Sequence, residues 1–164
     1  MTTKHCILLA EDDKDEVFLL RWAFRKAGLP HEILEVRDGV AAMDYLKGVP
    51  PFNDRARYPL PQLLLLDLKM PRVNGFEVLA WLGTCPELRS LPAVVLSASA
   101  FHADIQNAMD LGAREFLTKP YDMDEFVSLV EGLHERWLGG EGTIAAAVAN
   151  AAEGQARSAV QLRM

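Results

Sequence analysis

The sequence predicts an α/β fold, a doubly wound five-stranded parallel sheet with helices on both faces. Three observations carry this. Short continuous apolar runs, such as Cys6–Ala10, Leu63–Leu66 and Pro92–Ala98, stop abruptly at polar residues, as strands buried on both faces do. Between them lie stretches whose apolar residues recur at helical spacing. Strand and helix alternate five times, and right-handed crossovers then place helices on both faces of a parallel sheet.

The elements follow in order. Cys6–Ala10 is a strand that runs into the acidic loop Glu11-Asp12-Asp13, with Asp13 placed to cap a helix. Val17, Leu20, Phe24 and Ala27 give that helix one apolar face, and Gly28-Leu29-Pro30 ends it. Ile33, Leu34 and Val36 form a second strand closed by Asp38-Gly39, and Val40–Gly48 a short helix with Ala41, Tyr45 and Leu46 inward. Residues 49–61 carry four prolines and no apolar period, so they read as a long surface loop. Four leucines, 63–66, make the third strand, which Asp67 ends and Met70-Pro71 cannot continue.

After Asn74-Gly75, a helix carries Phe76, Val78, Leu79 and Leu82; Pro92–Ala98 is the fourth strand and Asp104–Leu111 a short helix closed by Gly112. Glu115–Thr118 is a short fifth strand ended by Lys119-Pro120. A last helix, started by Asp122 or Asp124, turns Phe126, Leu129, Val130, Leu133 and Trp137 to one side. One domain over residues 4–138 is expected, with Trp137-Leu138 as an exposed end. The Ala-rich residues 139–164 are then a flexible tail or a docked helix, too short for a DNA-binding output domain.

Composition narrows the function classes. With 164 residues, a net charge of −6 and no dense Lys/Arg cluster, the chain does not read as a nucleic-acid binder. No apolar stretch approaches the ~20 residues of a membrane span, and the first apolar run meets acids too soon for a secretory signal. Cys6 and Cys85 share no ligand spacing with His5, His31, His102 or His134, so zinc is not expected and a reducing cytoplasm is the expected location.

Chemistry gathers at the carboxyl ends of the strands, where open α/β sheets bind ligands. Glu11-Asp12-Asp13 follow the first strand, Asp67 the third, Ser97 ends the fourth and Lys119 follows the fifth. Each residue alone reads more simply, as a helix cap, a local hydroxyl or a solvated charge. Together they form converging carboxylates that a hard, oxygen-seeking cation such as Mg²⁺ would relieve, beside a hydroxyl and an ammonium suited to phosphoryl oxygens. Such a site receives a phosphoryl group on a carboxylate.

At these residues the sequence resembles the receiver domain of two-component response regulators. The motifs are Leu8–Asp13, Leu65–Pro71 with Asn74-Gly75, Val95–Ala98, and Phe116–Pro120. The resemblance implies a flavodoxin-like strand order of 2-1-3-4-5, with Asp67 as phosphoacceptor. It also implies Mg²⁺ held by Glu11, Asp12, Asp67 and the Lys69 carbonyl, Ser97 and Lys119 on the phosphoryl oxygens, and Ser97 with Phe116 as the switch pair. A cis Lys119–Pro120 bond is expected on the same basis. Lys69 and Ser99 occupy positions that tune phosphoryl lifetime in the family.

The prolyl loop, the Asp38-Gly39 turn and the ending Glu135–Leu138 resemble single-domain regulators paired with phytochrome-type histidine kinases. Such a protein is a signalling domain that catalyses its own Mg²⁺-dependent phosphorylation and dephosphorylation; a homodimer is the expected assembly. Three alternatives remain. A degenerate receiver acting as a phosphorylation-independent interaction module would lack an acid, hydroxyl or lysine, and none is missing. An aspartyl phosphohydrolase would want an acid where Lys69 stands. A flavin binder would want a Ser/Thr/Gly loop where Glu11–Asp13 stand.

Overall fold

A computed structural model describes residues 3–139, so the expected tail lies outside the described residues. The strands are β1 (Cys6–Ala10), β2 (Glu32–Val36), β3 (Leu63–Leu66), β4 (Ala93–Ser97) and β5 (Glu115–Thr118). The helices are α1 (Lys14–Lys26), α2 (Gly39–Lys47), α3 (Gly75–Leu82), α4 (His102–Asp110) and α5 (Met123–Leu133). A 3-10 turn at Pro86–Leu88 and a π-turn at His134–Leu138 complete the described elements. The strands form one parallel sheet in the order β2-β1-β3-β4-β5.

Both faces of that sheet are covered, and the strands alternate between two cores. Leu8, Leu64, Leu66 and Val95 face α2, α3 and α4, together with Tyr45, Val78 and Leu79. Ile7, Leu9, Leu63, Leu65 and Val94 face α1 and α5, together with Phe24, Phe126 and Leu133. Leu63–Leu66 are each 0% exposed. Burial of a leucine side chain stabilises by about 2 kcal/mol, and truncation to alanine costs roughly 2–5 kcal/mol. The four-leucine run is therefore the strand the domain can least afford to lose, and it delivers Asp67.

Local chemistry sets the helix starts. The side chains of Asp13, Asp38, Asn74 and Asp122 accept backbone N–H bonds at the first turns of α1, α2, α3 and α5. Helix α2 begins at Gly39, one residue earlier than expected, because Asp38 takes the capping position. Helix α4 spans His102–Asp110 instead of 104–111: it starts after Phe101 without a side-chain cap, and its Leu111 carries the C-cap bonds.

Two expectations are corrected. The Lys119–Pro120 bond is trans; the cis peptide among the described residues is Pro50–Pro51. The Lys119 N–H stays on the sheet, bonded to the Ser97 carbonyl at 2.8 Å, and the chain bends afterwards at Tyr121-Asp122. Trp137 and Leu138 are buried rather than exposed, at 8% and 3%. The Glu115 carboxylate accepts from Trp137 Nε1 at 2.7 Å and from Arg136 Nε at 3.0 Å, which folds the π-turn back onto the amino end of β5. The 49–61 segment is the long surface loop expected, and side chains pin it to the domain. Arg55 donates to the Tyr45 and Leu46 carbonyls at the end of α2, and Phe52 and Tyr58 pack against the Tyr45 ring.

Candidate functional site

Register brings the acids together. Ala10 pairs with Leu66, so the residues that follow, Glu11 and Asp67, leave the sheet side by side. Their backbones remain in the ladder: Asp67 N–H donates to the Ala10 carbonyl at 3.1 Å and Glu11 N–H to the Val36 carbonyl at 2.9 Å. Oxygens of Glu11, Asp12 and Asp67 lie within 4.8 Å of one another. Glu11 and Asp67 are buried, at 4% and 7%, while Asp12 is exposed.

Lys119, which follows β5, brings its ammonium into this cluster. Its side chain is 9% exposed, and Nζ lies 2.8 Å from Glu11, 3.5 Å from Glu16 and 3.6 Å from Asp67. A lysine suits this task because its flexible stem presents a compact charge. Ser97 is 2% exposed at the end of β4, and its Oγ accepts from the Ser99 N–H at 3.1 Å. Ser99 Oγ in turn donates to Asp104 on α4 at 3.1 Å. Phe116, opposite Val95 in the register, is half-buried against the core under α2, α3 and α4. The Lys69 side chain is exposed two residues past Asp67.

The electrostatics are those of an incompletely neutralised cluster. Burial pushes the Glu11 carboxyl up to about 7; the Lys119 hydrogen bond opposes this, and the Asp67 charge adds to it. Burial likewise raises Asp67, partly offset by Lys119 and by the N–H groups of Lys69 and Leu68. For Lys119, burial alone would lower the pKa, but the Glu11 bond and the fields of Asp67, Glu11 and Glu16 outweigh it, and the ammonium stays charged. Carboxylates held above their usual range by burial and mutual repulsion, with oxygen donors only, fit a hard divalent cation.

The loop between β3 and α3 is held from outside. Arg72, at a left-handed φ of 65°, donates through Nε to Asp38 at 3.1 Å, and Gly39 N–H donates to the Val73 carbonyl at 3.0 Å. Gly75 N–H donates to the Leu68 carbonyl at 3.0 Å and draws the start of α3 onto the backbone of Asp67. Sequence reasoning placed Glu11, Asp12, Asp67 and Lys119 at one sheet edge, and the structure brings them into contact distance, with Ser97 and Phe116 on the neighbouring strands. It missed Glu16 and Arg72. Asp13-x-x-Glu16 looks like a helix-capping box, and Arg72 carries no periodic signal.

Comparison with known proteins agrees with this geometry. Residues 7–131 match the response regulator receiver domain family. The response regulator Rcp1 of Synechocystis is 34% identical over 132 residues, which span 80% of this chain and 88% of Rcp1. The crystal structure of the phosphorylated cyanobacterial phytochrome response regulator RcpA superposes with a TM-score of 0.76 at 36% identity, covering 83% of this chain and 95% of RcpA. The Mn²⁺-bound form of Rcp1 gives a TM-score of 0.73 at 33% identity, over 83% of this chain and 96% of that one. With its sheet order, its acids at the β1 and β3 ends and its lysine after β5 all in place, the chain belongs to the response regulator receiver family, the phosphoryl acceptors of two-component signalling.

Proposed function

We propose that Asp67 accepts the phosphoryl group from the phosphohistidine of a sensor histidine kinase, and that the acyl phosphate switches the domain between two conformations. One observation carries this reading: the buried Asp67 carboxylate stands 3.6 Å from the Lys119 ammonium, with oxygens of Glu11 and Asp12 within 4.8 Å. An Asp67 oxygen attacks in line; its bond to phosphorus forms as the phosphorus–nitrogen bond breaks, and the kinase imidazole leaves. Lys119 neutralises charge on the transferring oxygens, so catalysis is mostly positioning and electrostatics.

Glu11, Asp12, Asp67 and the Lys69 carbonyl would hold Mg²⁺, which when bound supplies charge neutralisation for the phosphoryl oxygens. The Mn²⁺-bound form of Rcp1 supports a divalent cation here. Ser97 then turns its hydroxyl from the Ser99 N–H toward the new oxygens, and Phe116 moves into the space released, a two-state element biased by a local charge. The same residues serve hydrolysis of the acyl phosphate. The likeness to RcpA supports a phytochrome-type kinase as partner. Signalling as a homodimer in the cytoplasm completes the proposal. The domain boundary is set at residues 4–138.

Exposure to acetyl phosphate with Mg²⁺, followed by intact mass, tests the reading. Wild type should gain one phosphoryl mass, metal removal should prevent it, and Asp67→Asn should abolish it. No gain in wild type would refute phosphoryl acceptance and leave a phosphorylation-independent interaction module.

A further inference from the structure

Among the described residues, Glu16 is the one carboxylate on Lys119 that the phosphoryl-acceptor reading leaves without a task. It sits in the first turn of α1, 29% exposed, with Oε2 3.5 Å from Lys119 Nζ. Its sequence position suggests two simpler roles, and the structure supports neither as its main one. As a capping-box partner, it would accept the Asp13 backbone N–H. That N–H instead donates to Glu11 Oε1 at 3.1 Å. As a negative charge complementing the helix dipole at the amino terminus, it would duplicate Asp15. Glu11 thus fills the helix-capping role while also holding Lys119, which frees Glu16 to reach across to the same ammonium.

We propose that Glu16 is a positioning residue that competes with the phosphoryl group for Lys119 and thereby sets how strongly the phosphorylated state is favoured. The inference rests on the phosphoryl-acceptor reading of Asp67. In the unmodified site one ammonium serves three carboxylates, with Glu16 and Asp67 at nearly equal distance, 3.5 and 3.6 Å. Phosphorylation enlarges the negative charge on the Asp67 side only. Lys119 must then shift toward that side and loosen its contact with Glu16, which is left half-buried and facing a new dianion. Glu16 therefore raises the free energy of the phosphorylated state relative to the unmodified one. It acts through Lys119 and not by touching the reacting atoms. A single, partly solvated charge pair of this kind is worth roughly three- to tenfold in an equilibrium constant.

The test is the affinity for beryllofluoride, an acyl-phosphate mimic that needs no kinase, measured by ¹H–¹⁵N NMR titration at Mg²⁺ concentrations that saturate each variant. Glu16→Gln should bind beryllofluoride roughly three- to tenfold more tightly than wild type. Glu16→Asp keeps the charge but shortens the arm, so it loses the Lys119 contact and should show most of the same gain. Thermal melts should place both variants close to wild type, because the Asp13 cap does not use Glu16. No gain in Glu16→Gln would overturn the proposal. So would a Glu16→Asp variant indistinguishable from wild type beside a Glu16→Gln gain, since bare charge and not the contact would then be responsible. Failure of wild type itself to bind beryllofluoride would instead remove the phosphoryl-acceptor reading beneath it.

Discussion

Replacing Gly75 by alanine isolates the link between helix packing and site geometry. A Cβ at this position would lie 2.4 Å from the Asp67 carbonyl oxygen, 2.8 Å from Leu68 Cα and 3.1 Å from the Asp67 carbonyl carbon. All three are backbone atoms of the segment that carries the acceptor, so no flexible side chain can move aside. Restoring ordinary contact requires about 1 Å of separation between the start of α3 and that backbone, against a hydrogen bond from Gly75 N–H to Leu68 that holds them together. Overpacking of this kind costs roughly 1–3 kcal/mol. A displacement of about 1 Å at a reacting group costs on the order of 100-fold in rate. Urea unfolding followed by tryptophan fluorescence reads the first quantity, and the rate of phosphoryl gain from acetyl phosphate by intact mass reads the second. Gly75→Ala should lose both. A variant within about 0.5 kcal/mol of wild-type stability, and phosphorylated at the wild-type rate, would refute the claim that α3 is clamped directly onto the acceptor backbone.

Two further predictions concern acid stability and phosphoryl lifetime. His31 accepts the His5 N–H at Nδ1 (3.1 Å), so its Nε2 carries the proton and donates to His134 Nδ1 at 2.9 Å. Burial, with the neighbouring His134 and His5, lowers its pKa to about 4. Above the ordinary value near 6.5 the group contributes no pH dependence. As pH falls from there toward about 4, the unfolded chain takes up a proton that the folded chain refuses, so stability declines across that window. The full shift corresponds to about 3 kcal/mol, and solvent at the partly open cluster reduces this to about 1–2 kcal/mol. Urea melts at pH 7 and pH 5 should show that much more loss in wild type than in His31→Gln; equal losses would contradict the assignment. For lifetime, the exposed Lys69 cation beside Asp67 should shield the acyl phosphate from water. Lys69→Asn should therefore speed loss of the phosphoryl mass by several-fold, on the scale of a single charge, and an unchanged decay rate would remove the shielding role.

What the sequence determined by itself is the sheet and the identity of the polar residues at its carboxyl edge. Short continuous apolar runs bounded by turn signals, such as Leu63–Leu66, suit strands buried on both faces, and Asp67, Ser97 and Lys119 stand where such runs end. Period and strand-end position are local properties, readable from spacing alone. What the sequence did not contain is register and reach. Glu11 and Asp67 are neighbours because Ala10 pairs with Leu66, residues 56 positions apart in the chain. Glu16 meets Lys119 because the fold brings the first turn of α1 to the end of β5, and because Glu11 has already taken the Asp13 N–H. Trp137 looked like an exposed end because the Glu115 carboxylate that buries it lies on another element, 22 residues earlier. The pinning of the 49–61 loop belongs to the same group, set by contacts with the end of α2. Pattern fixes which face a residue takes, but which partner it meets depends on the closure of the whole sheet, and only the folded chain supplies that.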